Sequence, residues 1–165
     1  MKVVIIAGAG EVGRGVAQAL IYERKNVILI DTDPDALKSA QSLECLLIAG
    51  DVMSRDTLNR AGIQNAELLI MATDSDERNI LGCSFAKDFR NQLENATGEM
   101  VTIARVNRML VAREDSPEEF HRWSRVDHAA NADKEIVAEL TAGLISPHIL
   151  HTAPMGNGAF LSVSK

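Results

Sequence analysis

A glycine-rich turn is the segment of this sequence whose residue types and spacing are most suited to chemistry with a phosphate-bearing ligand. Gly8, Gly10 and Gly13 form a GxGxxG pattern between the apolar run Val3–Ala7 and an amphipathic stretch. In a strand–turn–helix unit of this kind, the first glycine allows a tight turn, the second lets the backbone approach a pyrophosphate, and the third lets the helix pack closely. The unpaired N–H groups at the start of the helix would then attract phosphate.

An acidic residue follows at the spacing that such a turn requires. Asp31 stands 18 residues after Gly13, at the end of the second apolar run. A carboxylate there can accept hydrogen bonds from both hydroxyls of a ribose. Thr32 follows with no adjacent arginine, so the site would repel a 2′-phosphate, and NAD or an adenine nucleotide is favoured over NADP. The structural alternative is that the glycines only make a turn and Asp31 only ends a strand.

The glycine turn and Asp31 can face one ligand only if the strands before them end at the same edge of a sheet. The pattern of apolar residues predicts such a sheet. Five short apolar runs alternate with amphipathic stretches, and they are Val3–Ala7, Val27–Ile30, Cys45–Ala49, Leu68–Ala72 and Val101–Ala104. Near-continuous apolar runs are typical of strands that are buried on both faces of a parallel sheet. The alternation predicts an α/β fold of the Rossmann type, with a doubly wound, mainly parallel sheet and helices on both faces.

Helix boundaries can be predicted at three places. Asp33 before Pro34 indicates an N-cap followed by proline at the first helical position. Gly62 after Ala61 indicates a glycine that ends a helix. A capping box begins at Ser116 and predicts another helix start.

Polar residues follow the third and fourth apolar runs. Gly50 and Asp51 come after the third, and the segment ATDSDERN, residues 72–79, comes after the fourth. Ligands of doubly wound sheets bind beyond the carboxyl ends of the strands, so we expect these loops to face one crevice. Asp76 and Glu77 also suit the first turn of a helix for electrostatic reasons alone.

Five segments, in order, resemble the nucleotide-binding N-terminal domain of potassium-conductance regulators, the RCK domain, also called KTN or TrkA-N. The segments are KVVIIAGAGEVGRGVAQAL, VILIDTDPDAL, IAGDVMSRDTLNRAGI, ELLIMATDSDERNILGCSFAK and VTIARV. The resemblance covers residues 1–141. We expect residues 142–165 to be a linker and the possible start of a C-terminal RCK domain, the rest of which the sequence lacks.

The resemblance implies ligand-contacting residues at the strand ends and implies neither catalytic residues nor metal ligands. These residues belong to the phosphate loop, the ribose site, the adenosine edge, the loop over the ligand with its following helix, and the end of the fifth strand. They are Gly8, Gly10, Glu11, Val12, Gly13, Asp31, Thr32, Asp51, Val52, Ala72, Thr73, Asp74, Asn79 and Arg105. For Arg105 a solvated strand end is the alternative, and Arg14 could also meet a phosphate.

The family resemblance further implies a function. Such domains bind NAD(H), ATP or ADP and regulate potassium channels or transporters without chemical conversion. We therefore expect a regulatory, non-enzymatic domain in the cytoplasm, held at the inner face of the membrane by a channel or transporter partner. Self-association into a homodimer or larger ring is expected through an apolar stripe, which consists of Ile136, Val137, Leu140 and Leu144.

Three departures from the family pattern are visible. The connections at residues 90–100 and 107–125 are longer than usual in the family, and Arg125 stands where the family has a glycine. Residues 126–128 resemble the sixth strand only weakly.

Several function classes are disfavoured by composition. A net charge of −6 disfavours binding to nucleic acid, which needs clustered lysine and arginine. No apolar run reaches the roughly 18–20 residues of a membrane-spanning helix. Cys45 and Cys83 form no CxxC motif, and the spacing of His148 and His151 lacks further ligands to complete a metal site.

Two other functions remain open. One is a small NAD-dependent reductase with a flavin or quinone as acceptor, although no general acid–base is evident at the strand ends. The sequence lacks the tyrosine and lysine, four residues apart, that short-chain dehydrogenases need. Its only tyrosine, Tyr22, is followed four residues later by Asn26. The other is a redox-responsive sensor outside transport.

Overall fold

The computed structural model describes residues 1–107 and 117–130 of the chain. Six strands and five α-helices lie within these ranges. In chain order the elements are β1 Val3–Ala7, α1 Glu11–Tyr22, β2 Val27–Asp31, α2 Pro34–Ser39, β3 Leu46–Ala49, α3 Arg55–Arg60, a 3₁₀ turn Ile63–Asn65, β4 Ala66–Met71, α4 Asp76–Asn91, β5 Val101–Arg105, α5 Pro117–Ser124 and β6 His128–Ala130.

The strands form one six-stranded sheet in the order β3-β2-β1-β4-β5-β6. Every neighbouring pair is parallel, which confirms the Rossmann-type prediction. The order changes direction between β1 and β4, and a doubly wound sheet opens a crevice at that point, beyond the carboxyl ends of its strands.

Two apolar layers explain why the strands are apolar almost throughout. Successive residues of a strand point to opposite faces, so Val4 and Ile6 pack against α1 while Ile5 packs in the layer of α3 and α4. All three side chains are fully buried. Burial on both faces demands a continuous apolar run rather than an alternating one.

Two predicted helix boundaries are confirmed. Asp33 caps α2, and its carboxylate accepts a hydrogen bond from the Asp35 N–H at 2.9 Å. Gly62 follows α3 with φ of 81°, the left-handed conformation that glycine adopts freely. The third boundary involves Ser116, which lies outside the described residues, although α5 does begin at Pro117.

The sixth strand lies two residues later than predicted. It spans His128–Ala130, and the predicted positions Val126 and Asp127 precede it. The reason is that the Asp127 carboxylate accepts a hydrogen bond from the Thr102 N–H at 2.8 Å, so a side chain occupies that part of the β5 edge. The ladder with β5 starts at the pair His128 and Ile103.

Arg125 takes a backbone conformation suited to glycine. Its φ is 65°, in the left-handed region that costs a residue with a Cβ of the order of 1 kcal/mol. The Arg125 guanidinium donates to the Asp88 carboxylate at 2.8 Å. The chain therefore keeps the backbone expected from the family glycine and adds an ion pair to α4.

The long connection after α4 is held by a buried arginine. Arg90 is 5% exposed. Its Nε donates to Ile63 O at 2.9 Å, and its terminal nitrogens donate to the carbonyls of Gly98, Gln64 and Thr97. Burial lowers the pKa of this guanidinium. Arg90 thus ties the segment between α4 and β5 to the 3₁₀ turn before β4.

Other predictions fall on residues that the structure does not describe. These are the apolar stripe at Ile136, Val137, Leu140 and Leu144, the histidines His148 and His151, and the boundary at residue 141. Among the described residues, no helix is long and apolar enough to cross a membrane.

Replacing Arg90 with methionine should destabilise the fold by about 2–4 kcal/mol, because four carbonyl groups lose their hydrogen-bond donor. Arg60→Met is the matched control, since Arg60 is exposed and makes only two long contacts, to the Asp56 carboxylate at 3.6 Å and to Ala49 O at 3.3 Å. Urea unfolding of both variants measures the difference. Equal free energies of unfolding in the two variants would contradict this role for Arg90.

Candidate nucleotide-binding site

The three glycines of the turn after β1 serve three different needs. Gly8 has φ of 111°, and a Cβ there would approach the Ala72 carbonyl oxygen to 2.7 Å. A Cβ on Gly13 would overlap the carbonyl oxygen of Gly8, so only glycine lets α1 come this close to the turn. A Cβ on Gly10 would point into open space. Gly10 is therefore the one of the three that the fold itself does not require.

The N-terminus of α1 has no side-chain cap. Gly10 is the N-cap residue and has no side chain that could accept a hydrogen bond. By contrast, α2, α3 and α4 are capped by the side chains of Asp33, Ser54 and Ser75. The first N–H groups of α1, which carry the positive end of the helix dipole, are thus left for an anion.

Asp31 joins β2 to the glycine turn. Its Oδ2 accepts a hydrogen bond from the Ala9 N–H at 2.7 Å, and its Oδ1 accepts one from the Asp33 N–H at 2.9 Å. An ionised carboxylate has about four acceptor positions, so each oxygen can accept a further donor. The residue predicted to bind ribose therefore also fixes the backbone of the predicted phosphate loop.

A cavity of about 570 Å³ lies at the carboxyl ends of the strands, a size that suits a nucleotide. Twelve of the fourteen residues that sequence analysis assigned to the site line this cavity. They are Gly8, Gly10, Glu11, Val12, Asp31, Thr32, Asp51, Val52, Ala72, Thr73, Asp74 and Arg105. The other two, Gly13 and Asn79, lie outside the lining.

Asn79 is fully buried beneath the loop that joins β4 to α4. Its amide nitrogen donates to Thr73 O at 3.0 Å and to Arg105 O at 2.7 Å. Its amide oxygen accepts from the Thr73 N–H at 3.0 Å and from the Thr73 hydroxyl at 2.6 Å. The structure thus gives Asn79 a positioning role, since it holds the ends of β4 and β5 together under the cavity.

Arg105 is a mostly buried cation with unused hydrogen-bonding capacity. Its side chain is 17% exposed. One terminal nitrogen reaches Thr73 O at 3.3 Å and Asp74 Oδ1 at 3.4 Å, which are both long contacts. The buried Nε has no hydrogen-bond partner among the described residues. A guanidinium in this state suits an incoming phosphate oxygen.

Some lining residues were not among the predicted site residues, although Arg78 belongs to the segment 72–79 that was expected to face the crevice. Arg78, in the first turn of α4, lines the cavity and donates to Asp51 Oδ1 at 2.8 Å. Nothing local in the sequence signals a contact between residues so far apart. Arg14, considered as a phosphate contact, instead donates to Ala9 O at 3.0 Å and so braces the turn.

The charge of the lining is unusual for an anion site. Five carboxylates and two guanidinium groups line the cavity, namely those of Glu11, Asp31, Asp33, Asp51, Asp74, Arg78 and Arg105. An anionic ligand must therefore be bound chiefly by backbone N–H groups and the α1 dipole. Among the described residues, no group of three histidine, cysteine or acidic side chains is placed to hold a metal ion.

The strand order of this parallel sheet changes direction beside a glycine turn, and a carboxylate lies at the end of β2. These features define a Rossmann-type α/β domain. The sequence also matches the TrkA-N domain family over residues 4–134. The chain belongs to the TrkA-N family, as the five sequence segments predicted.

The chain is similar in sequence to proteins that are named for potassium uptake. The Trk system potassium uptake protein trkA homolog 1 of Methanosarcina mazei is 35% identical over 158 residues, which are 96% of this chain and 37% of that protein. A TrkA homolog of Methanothermobacter thermautotrophicus is 26% identical over 158 residues, 94% of this chain and 66% of that protein. The chain thus spans little more than a third of the Methanosarcina relative.

Solved structures share the fold at low sequence identity. The TrkA-N domain of the inner membrane protein ybaL from Escherichia coli superposes with a TM-score of 0.63 at 14% identity, and the match covers 84% of this chain and 93% of that one. The GsuK channel bound to NAD gives a TM-score of 0.59 at 16% identity, and the match covers 78% of this chain and 21% of that one.

Gly13→Ala should destabilise the domain by several kcal/mol, because the new methyl group overlaps the Gly8 carbonyl. Gly15→Ala is the matched control: it lies on the same helix, its Cβ would meet nothing within 4 Å, and it should gain up to about 1 kcal/mol of helix propensity. Thermal unfolding followed by circular dichroism compares them. A Gly13→Ala variant as stable as the wild type would show that α1 does not need this close approach.

Proposed function

We propose that this chain is a nucleotide-binding regulatory domain of a potassium uptake system. It binds NAD(H) or ATP/ADP, and the bound ligand alters the activity of a membrane potassium channel or transporter without being converted. The observation that carries the proposal is the hydrogen bond between Asp31 and Ala9, which brings a ribose-binding carboxylate and the uncapped start of α1 into one cavity. Membership of the TrkA-N family and the names of the relatives support the link to potassium uptake.

The order of the strands suggests how the ligand lies. Along the edge β3-β2-β1-β4, the cavity presents first Asp51 and Val52, then Asp31, then the glycine turn. We place the adenine base, the ribose and the phosphates in that order. A mononucleotide fills this half, and the second half of a dinucleotide continues towards Thr73 and Arg105.

The charge of the cavity favours ligands with fewer phosphates. The lining carries three more carboxylates than guanidinium groups, so each added phosphate charge is bound at greater electrostatic cost. Backbone N–H groups at the turn can accommodate a pyrophosphate. The diphosphate ligands NAD(H) and ADP should therefore bind more tightly than ATP in the absence of a divalent cation.

Regulation requires a second state of the assembly. A ligand shifts an equilibrium only by its differential affinity for the two states, and coupling between sites is reciprocal. We propose that the chain acts as a homo-oligomer in the cytoplasm, at the inner face of the membrane, and that ligand binding changes how its copies contact each other and the transporter.

Calorimetry with NADH, NAD, ADP and ATP on wild type, Gly10→Val and Gly15→Val tests the binding site. The valine at position 10 projects into the cavity where the pyrophosphate would lie, so binding should be abolished while the fold persists. Valine at position 15 lies on α1 outside the cavity lining, and binding should be unchanged.

Two results would contradict this proposal. Equal affinity in the two valine variants would place the ligand elsewhere. Steady oxidation of NADH by the chain with a flavin or quinone acceptor would instead favour a reductase.

Asp31→Ala should weaken NADH or ADP binding by about 1–3 kcal/mol, because a charge-assisted acceptor for the ribose is lost. Part of the loss comes from the glycine turn, since the Ala9 N–H loses its partner. Asp35→Ala is the control, as Asp35 is exposed on α2 and does not line the cavity. Calorimetry measures both, and unchanged affinity in a folded Asp31→Ala protein would remove Asp31 from the site.

A further inference from the structure

An ion pair crosses one wall of the cavity and joins two elements that are distant in sequence. A terminal nitrogen of Arg78, in the first turn of α4, lies 2.8 Å from Asp51 Oδ1, in the segment after β3. Both residues line the cavity. In the sheet, β2 and β1 lie between β3 and β4. The ion pair therefore joins segments from either side of the two strand ends beside which the ligand is proposed to lie.

The stability of the fold gives little reason for this pair. The Arg78 and Asp51 side chains are 48% and 46% exposed, and ion pairs at such exposure typically contribute about 0–1 kcal/mol. Arg60 is equally exposed, at 48%, and its contacts, with Asp56 and with Ala49 O, lie outside the cavity lining. What distinguishes Arg78 is the group that it orients.

That group is a carboxylate whose two oxygens have different surroundings. Oδ1 of Asp51 accepts from Arg78 and also from the Met53 N–H at 2.9 Å, so two donors from different elements fix its position. Oδ2 accepts no hydrogen bond from the described residues. An ionised carboxylate only accepts, so Asp51 presents a fixed acceptor at the β3 end of the cavity.

We propose that Arg78 is a positioning residue for base selection: by holding Asp51 Oδ1, it directs Oδ2 at the base, so that adenine is bound in preference to hypoxanthine or guanine. The inference rests on the proposed function, which places the base at this end. Adenine carries an exocyclic amine that donates, whereas hypoxanthine and guanine carry a carbonyl oxygen at the same position. A fixed carboxylate oxygen attracts the amine and repels the carbonyl.

The test compares two ligand pairs that differ only on one edge of the base, where the amine becomes a carbonyl and the adjacent ring nitrogen N1 gains a hydrogen. They are ADP against inosine diphosphate, and NAD against nicotinamide hypoxanthine dinucleotide. Calorimetry gives the ratio of affinities within each pair for wild type, Arg78→Met, Arg78→Lys and the control Arg60→Met. Methionine keeps the length of the side chain without a donor, whereas lysine keeps a positive charge and a donor.

The wild type should prefer the adenine ligand, and Arg78→Met should lower that preference roughly tenfold, chiefly by weakening the adenine ligand. Arg78→Lys should recover most of the preference, and Arg60→Met should leave it at the wild-type value. A merely structural role would weaken both members of a pair equally and leave the ratio unchanged.

The outcomes separate this inference from the function on which it rests. An unchanged preference in an Arg78→Met protein that still binds ADP or NAD would overturn the role of Arg78 and leave nucleotide binding intact. A wild type that binds neither ligand pair would overturn the proposed function itself. A wild type that binds both members of a pair equally would show that Asp51 does not read the base.

Discussion

The hydrogen bond from the Ala9 N–H to the Asp31 carboxylate is the contact on which the candidate site depends. At 2.7 Å it joins the end of β2 to the turn after β1. The turn reaches Asp31 because Gly8 adopts φ of 111°, and α1 can follow closely because Gly13 has no side chain. This single contact places the carboxylate that we propose binds ribose beside the uncapped N–H groups of α1.

On the other side of the cavity, the buried side-chain amide of Asn79 holds the ends of β4 and β5. Asn79 bonds the backbone of Thr73 and the carbonyl of Arg105, so it fixes the ends of β4 and β5 relative to each other. Arg105 then lies mostly buried with its Nε unpartnered among the described residues. Because carboxylates outnumber cations in the lining, the attraction for the phosphates of the proposed ligand would come from Arg105 and the backbone of the turn.

Local sequence signals predict the glycine turn and the strand ends that line the cavity, whereas contacts between distant parts of the chain could not be predicted. The glycine turn, Asp31 and the cap at Asp33 are encoded within a few residues, and the structure has the glycines and the cap as predicted. The sixth strand was displaced because the Asp127 side chain bonds β5, a contact that no periodicity reveals. The same limit applies to Arg78, whose partner is 27 positions away. Family resemblance assigned Asn79 to the ligand contacts, whereas the packing of the structure places it beneath the cavity.

Titration with ADP and NADH, followed by backbone amide chemical shifts, tests whether a nucleotide binds at the turn after β1. The largest shifts should occur at the amides of Gly10, Glu11 and Val12, since these residues line the cavity at the uncapped start of α1. A second cavity of about 280 Å³, lined by residues that include Lys87 and His121, lies elsewhere on the domain. Shifts confined to that second cavity, or no shifts in the turn after β1, would show that the nucleotide does not bind at the start of α1.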